Sequence, residues 1–297
     1  MRVLIIGCGY AGLPLGAELV RQGHEVFGLR RTAPEELRAA GIEPLTADIS
    51  RPDTLAKLPH DFDWVVNCAA SGGGSADDYR TLYLEGNRNV VAWLAGLPPR
   101  KFVYTSSTSV YAHNDGSFVT EQSPAQPEAA TARVLVETEA LLLAAARNGF
   151  PAVVLRVAGI YGPGRGYAFR QFLSGEASLD GDGQRYLNMV HRDDLTGAII
   201  AALERGTPGE IYNVADNEPV TQLEFFEWLA ARLKRPLPRR NPANEDSGRK
   251  RGVTNKRVSN ARLRTELKYA FQFPNFRAGY AAEISRLSQP SGSPTRS

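Results

Sequence analysis

Sulfur is scarce in this 297-residue chain, which holds two cysteines and two methionines. Cys8 and Cys68 stand far apart in sequence, so neither a disulfide framework nor a metal cluster is expected. Long apolar runs are missing too. None approaches the ~18–20 residues of a membrane span, and Val3 to Ile6 runs straight into glycines, too short for a signal peptide. The expectation is a cytoplasmic protein with no membrane partner. Acids are thin in one region: from Arg232 to Lys268 a dense set of Arg and Lys is offset only by Glu245, Asp246 and Glu266. A solvated basic surface and a site for phosphate or carboxylate both read this way. Nucleic acid is not expected, because no platform of aromatics is interleaved with the basic residues.

What is present is an alternation of strand-like and helix-like runs. VLIIG, HEVFGLR, IEPLTADI, WVVNCAA, KFVYTSS and AVVLRVAGIYG read as continuous apolar strands, as buried parallel strands do. Helical patterns lie between them, including Tyr79–Leu97 and Ala130–Asn148. The pattern predicts an α/β fold, a Rossmann-type doubly wound parallel sheet. Residues 1–162 with about 188–216 form its dinucleotide-binding domain. Pieces near 163–187 and 217–287 form a smaller, discontinuous substrate lobe over the carboxyl ends of the strands, and 288–297 reads as a disordered tail.

The first strand runs into Gly7-Cys8-Gly9-Tyr10-Ala11-Gly12 and then a helix. In that context GxGxxG carries a mechanism: Gly7 permits the tight turn, Gly9 lets backbone approach a pyrophosphate, and Gly12 lets helix pack on strand. The helix N-terminus offers N–H groups and partial positive charge to the phosphates. At the end of the second strand, where an NAD site keeps a carboxylate for the ribose, the chain reads Leu29-Arg30-Arg31-Thr32. Two guanidiniums there suit the 2′-phosphate of NADP, which is preferred, with NAD the alternative. Arg30 and Arg31 as solvent-facing loop residues is the bland reading. Asp48 and Ile49 suit an adenine edge and face, and Asp48 as an N-cap is the structural alternative.

The opening GCGYAGLPL is close to that of nucleotide-sugar 6-dehydrogenases, but those chains are longer and use a late cysteine nucleophile, a role neither cysteine here fits. The motifs KFVYTSSTSVYA, TEQSPAQP, LRVAGIYGPGR, NMVHRDDLTGAIIAALE, IYNVADNEPVT and VSNARLRTEL instead give a resemblance, over almost the full length, to the extended short-chain dehydrogenase/reductases, the NAD-dependent epimerase/dehydratase group. That resemblance implies a catalytic serine at Ser107 and cofactor-facing positions at Ala69, Ala70 and Ala158. It also implies a homodimer through the two helices named above. The family's tyrosine and lysine are absent. With Glu139 aligned to the helix glutamate that follows the lysine, they fall at Thr131 and Leu135, as in the YeeZ-like branch of atypical members. The phenol ordinarily moves the proton that accompanies hydride transfer, and neither replacement can do so unaided.

Thr131 and His113 are therefore carried with Ser107 as candidate catalytic residues, His113 being a loop imidazole two residues beyond Tyr111. Tyr111 reads as structural, His191 as an organiser of Asp193 and Asp194, and Tyr161 as packing near the nicotinamide or the hinge. Arg165, Tyr167 and Asn188 are expected to face a small, polar or anionic substrate, sugar nucleotides included. Arg249, Lys250 and Arg251 are expected to close over an anionic group. Two functions follow: an NADP-dependent oxidoreductase, epimerase or dehydratase with a non-standard proton donor, or a non-catalytic NAD(P)-binding sensor or interaction protein.

Overall fold

A computed structural model describes residues 1–32, 35–241 and 254–287, so Arg249, Lys250, Arg251 and the tail lie outside the described residues. Seven runs form one parallel sheet: β1 (Arg2–Ile6), β2 (Glu25–Arg30), β3 (Glu43–Thr46), β4 (Trp64–Asn67), β5 (Lys101–Ser107), β6 (Ala152–Val157) and β7 (Ile211–Val214). Their order is β7-β6-β5-β4-β1-β2-β3. Successive side chains leave opposite faces of each strand. Thus Leu4, Ile6 and Val65 join one core cluster while Val3, Ile5 and Val66 join the other, which is why the strands read as unbroken apolar runs. The order reverses between β1 and β4, and a crevice opens at their carboxyl ends.

Helix α1 (Gly12–Arg21) packs Leu15 and Leu19 on one face of the sheet; on the other, a bent run α2 spans Ala76–Tyr79, a π turn at Arg80–Glu85, and Gly86–Leu94. Its start precedes the Tyr79 expected from periodicity, because Ser75 and Asp78 form a capping box. It stops at Leu94, ahead of Gly96 and a Pro98-Pro99 pair that cannot continue it. Helix α3 (Ala130–Arg147) lies beside α2, and α4 (Arg192–Arg205) beside α1.

A third apolar cluster holds the lobe together. It draws Phe169 and Phe172 from the helix Tyr167–Ser174, Phe225, Phe226 and Leu229 from α5 (Gln222–Leu233), and Phe276 and Tyr280 from α6 (Phe276–Leu287). Tyr161 stacks on Tyr280 with centroids 4.3 Å apart and ties the lobe to the end of the sheet. The stretch between α5 and α6 behaves differently from the rest of 217–287. Val258, Leu263 and Leu267 pack into the two clusters of the sheet, and Arg257–Val258 pairs with Phe118–Val119. No helix among the described residues is long and apolar enough to cross a membrane.

Candidate cofactor and substrate cleft

One cleft of about 1830 Å³ runs from the glycine turn to the lobe. At its first end the wall is mostly backbone. Gly7 has φ +83, and a Cβ there would stand 2.4 Å from the backbone of Ala69; one on Gly12 would stand 2.8 Å from the Gly7 carbonyl. Both glycines are thus required by contact inside the protein. Gly9 is different: a Cβ would meet nothing nearer than the Gly7 carbonyl at 4.0 Å, and would project into the cleft. None of the described backbone bonds outside helices and strands uses the N–H of Tyr10 or Ala11. Open space over Gly9, beside donors at a helix start, fits the pyrophosphate of a dinucleotide.

Arg30, Arg31, Asp48, Ile49, Ala69, Ala70 and Ala158 all line this cleft. Arg30 bonds Glu36 through one guanidinium nitrogen, a contact the sequence reading did not include. Asp48 is not an N-cap: its Oδ1 accepts from the N–H and hydroxyl of Ser50, and the next helix is capped from Arg51. Burial pushes the Cys8 and Cys68 thiols up to about 12, so neither is a nucleophile at neutral pH.

Toward the middle, Ser107 closes β5 and its Oγ accepts the Ser109 N–H at 3.2 Å. Behind it lies a buried polar chain. Ser106 donates to Glu139 at 2.6 Å, Arg156 holds Glu139 through Nη2 at 2.7 Å, and Arg156 also donates to the Tyr111 hydroxyl at 2.9 Å. Tyr111 in turn donates to Asn213 on β7 at 2.8 Å. Tyr111 and Glu139 are therefore interior supports. Leu135 lines the cleft, whereas Thr131 is buried in α3 and is not part of the wall. His113 does not line the cleft either; its neighbour Asn114 does, and the His113 carbonyl accepts from Asn255.

On the lobe side Arg165 and the exposed Tyr167 line the cleft, and Arg165 sits 4.8 Å over the Tyr10 ring. Asn188 also lines it, but its amide is engaged with the protein, donating to the Lys256 carbonyl at 2.9 Å and accepting the Val258 N–H at 2.7 Å. His191 accepts the Asp193 N–H on Nδ1, which leaves the proton on Nε2 facing Glu283. Tyr161 lines the cleft beside the hinge stack. Two cations in the wall, Arg185 and Lys256, were not singled out from sequence. The signal available was the acid-poor stretch Arg232–Lys268, which contains Lys256 but does not distinguish it from its neighbours.

The profile of the NAD dependent epimerase/dehydratase family matches residues 3–215. Protein YeeZ of Escherichia coli (strain K12) is 31% identical over 92% of this chain and 97% of its own length. The 3-diazoavenalumate denitrifying reductase of a Streptomyces species is 29% identical, covering 95% of this chain and 100% of its own. Among solved structures, the dTDP-glucose 4,6-dehydratase of Streptomyces venezuelae, crystallised with NAD, superposes with a TM-score of 0.82 across 96% of each chain, at 22% identity that speaks for the fold alone.

Proposed function

The chain belongs to the NAD dependent epimerase/dehydratase family, and from that premise we propose that it is an NADP(H)-dependent oxidoreductase acting on a carbonyl or hydroxyl of a small polar or anionic substrate. The observation that carries this reading is the continuity of the cleft, from an open pyrophosphate cradle over Gly9, past Ser107, to a lobe with its own packed core. The cofactor, when bound, supplies or accepts a hydride. Gly7, Gly9 and Gly12 would shape its cradle, and Ser107, which lines the cleft, would donate a hydrogen bond to the reacting oxygen of the substrate and so lower the barrier. The full-length Streptomyces relative is by name a reductase, which favours oxidoreduction over epimerisation or dehydration.

The test is NADPH consumption against a panel of ketones, aldehydes, oxo acids and sugar nucleotides. Ser107→Ala is expected to lower kcat by about 10²-fold with NADPH affinity unchanged; equal rates remove Ser107 from the mechanism. A second reading, a non-catalytic NAD(P) sensor, is favoured by Thr131 and Leu135 standing where a proton donor and its lysine belong. No turnover by the parent, together with activity gained by Thr131→Tyr with Leu135→Lys, establishes it.

Preference for NADP rests on Arg30 and Arg31 at the cleft edge. One nitrogen of Arg30 is taken by Glu36, and its other N–H groups suit phosphate oxygens. Arg30→Ala is expected to weaken NADPH about tenfold relative to NADH, about 1.4 kcal/mol. Tighter NADH than NADPH binding by the parent reverses the assignment.

A further inference from the structure

Lys256 is only 4% exposed, yet it forms part of the cleft wall. Its ammonium donates to the backbone carbonyl of Tyr111 at 3.1 Å and to the Thr254 hydroxyl at 2.5 Å, both neutral acceptors. Among the described residues no carboxylate pairs with it. The charged group acting on it is Arg185, of like sign and itself bonded to Asp180 at 2.9 Å. Burial, with a smaller contribution from Arg185, pushes the ammonium down to about 8. Withdrawing a cation from water without a counter-ion costs several kcal/mol, and a fold normally brings an acid to it.

The segment carrying Lys256 is secured by other groups. Asn188 clamps the backbone at Lys256 and Val258, the Asn255 side chain accepts from Tyr186 at 2.9 Å, and the Asn255 backbone bonds His113 and Gly116. The ammonium is therefore held in place by the segment rather than serving to fasten it. Tyr111, whose carbonyl it contacts, closes the short turn Thr108–Val110 that begins at Ser107, so the cation stands toward the reacting end of the cleft rather than the adenine end. An ammonium has three N–H groups, and two are used here on neutral oxygens.

We propose that Lys256 anchors an oxyanion of the substrate, a carboxylate or a phosphate ester, near Ser107. The ligand supplies a counter-charge that none of the described residues provides, on a cation already fixed before binding, so little ordering entropy opposes it. This inference rests on the cofactor-dependent reading above.

Calorimetry of the NADP⁺-loaded parent, in which the ketone cannot be reduced, titrated with acetoacetate and separately with inorganic phosphate, tests it. At pH 7 one of the two anions binds. Above pH ~8 its affinity falls, approaching tenfold per pH unit as the ammonium loses its proton, while NADPH affinity stays level. Binding of acetoacetate alone identifies a carboxylate substrate, and phosphate alone a phosphate ester. Lys256→Gln weakens the anion at least tenfold, Lys256→Arg recovers most of the loss, and neither changes NADPH affinity. The proposal is overturned if neither anion binds the loaded parent, if affinity is flat through pH 8–10, or if Lys256→Gln leaves it unchanged. The pH series needs no variant, so a misfolded Lys256→Gln does not rescue the idea. Failure of the parent to bind NADPH would instead sink the cofactor-dependent reading itself.

Discussion

At the glycine-turn end of the cleft the wall is built from one continuous stretch of chain and the strand ends beside it, and most of what the turn offers is backbone. At the Ser107 end the wall is built from side chains that arrive from distant places: Ser107 from β5, Leu135 from α3, Arg185 from the lobe, and Lys256 from the stretch that returns to the sheet. The contrast shows why family membership settles so much about one end and so little about the other. A backbone cradle tolerates few sequences, since a side chain at Gly7 or Gly12 collides with the protein itself. A side-chain site can be refitted one residue at a time, because no single backbone turn dictates its lining.

The largest expected effect separates the two ends. Glu139 is 2% exposed and holds Arg156 through three contacts of 2.7–3.2 Å. Glu139→Ala strands a buried guanidinium and is expected to cost about 3–5 kcal/mol, read as a lower urea midpoint. Because this network lies behind β5 and away from the glycine turn, NADPH affinity measured below the transition stays level. A parallel loss of NADPH affinity would mean that the two ends are one cooperative unit.

Next comes a pair within the glycine turn. Gly7→Ala places a methyl into the Ala69 backbone at positive φ, and the expected cost is about 2–3 kcal/mol of stability as well as cofactor binding. Gly9→Ala meets nothing in the protein, so its melting temperature stays near that of the parent while NADPH affinity falls at least tenfold. Equal destabilisation by the two variants would show that Gly9 serves the fold and not a ligand.

The same contrast sets what the amino-acid order reveals. The parallel sheet, the glycine turn and the cleft-lining positions Arg30, Asp48, Ala69 and Ala158 were legible, because local periodicity and glycine requirements are written in neighbouring residues. The early start of α2 was legible in principle from Ser75 and Asp78, and was missed because the apolar pattern begins later. His113 was expected at the site from its closeness to Ser107 in sequence, and the loop carries it off the wall while Asn114 stays on it. Lys256 was hidden in a basic stretch. Its burial comes from pairing and clamping across many residues, and no local pattern encodes that.

Asp216 shows that a buried carboxyl outside the cleft calls for a different account, and it carries the last prediction. It follows β7, is 2% exposed, accepts the Glu218 N–H on Oδ1 at 3.1 Å, and has no partner at Oδ2 among the described residues. Burial above all, with the charges of Glu218 and Asp194 adding to it, pushes its carboxyl up to about 8. Between the usual carboxylate range and pH 8 the folded state then binds one proton more than the unfolded state, so this group makes stability fall as pH rises through that window. Asp216→Asn keeps the Oδ1 acceptor and cannot ionise. Its urea midpoint should match the parent near pH 4, pull ahead progressively up to about pH 8, and hold that lead above it. Anion affinity at pH 7 should not change, because Asp216 does not line the cleft, whereas Lys256→Gln should do the reverse and move the anion. If Asp216→Asn weakens the anion as much as Lys256→Gln does, burial of charge near the hinge, and not the position of Lys256 in the wall, governs binding at the Ser107 end.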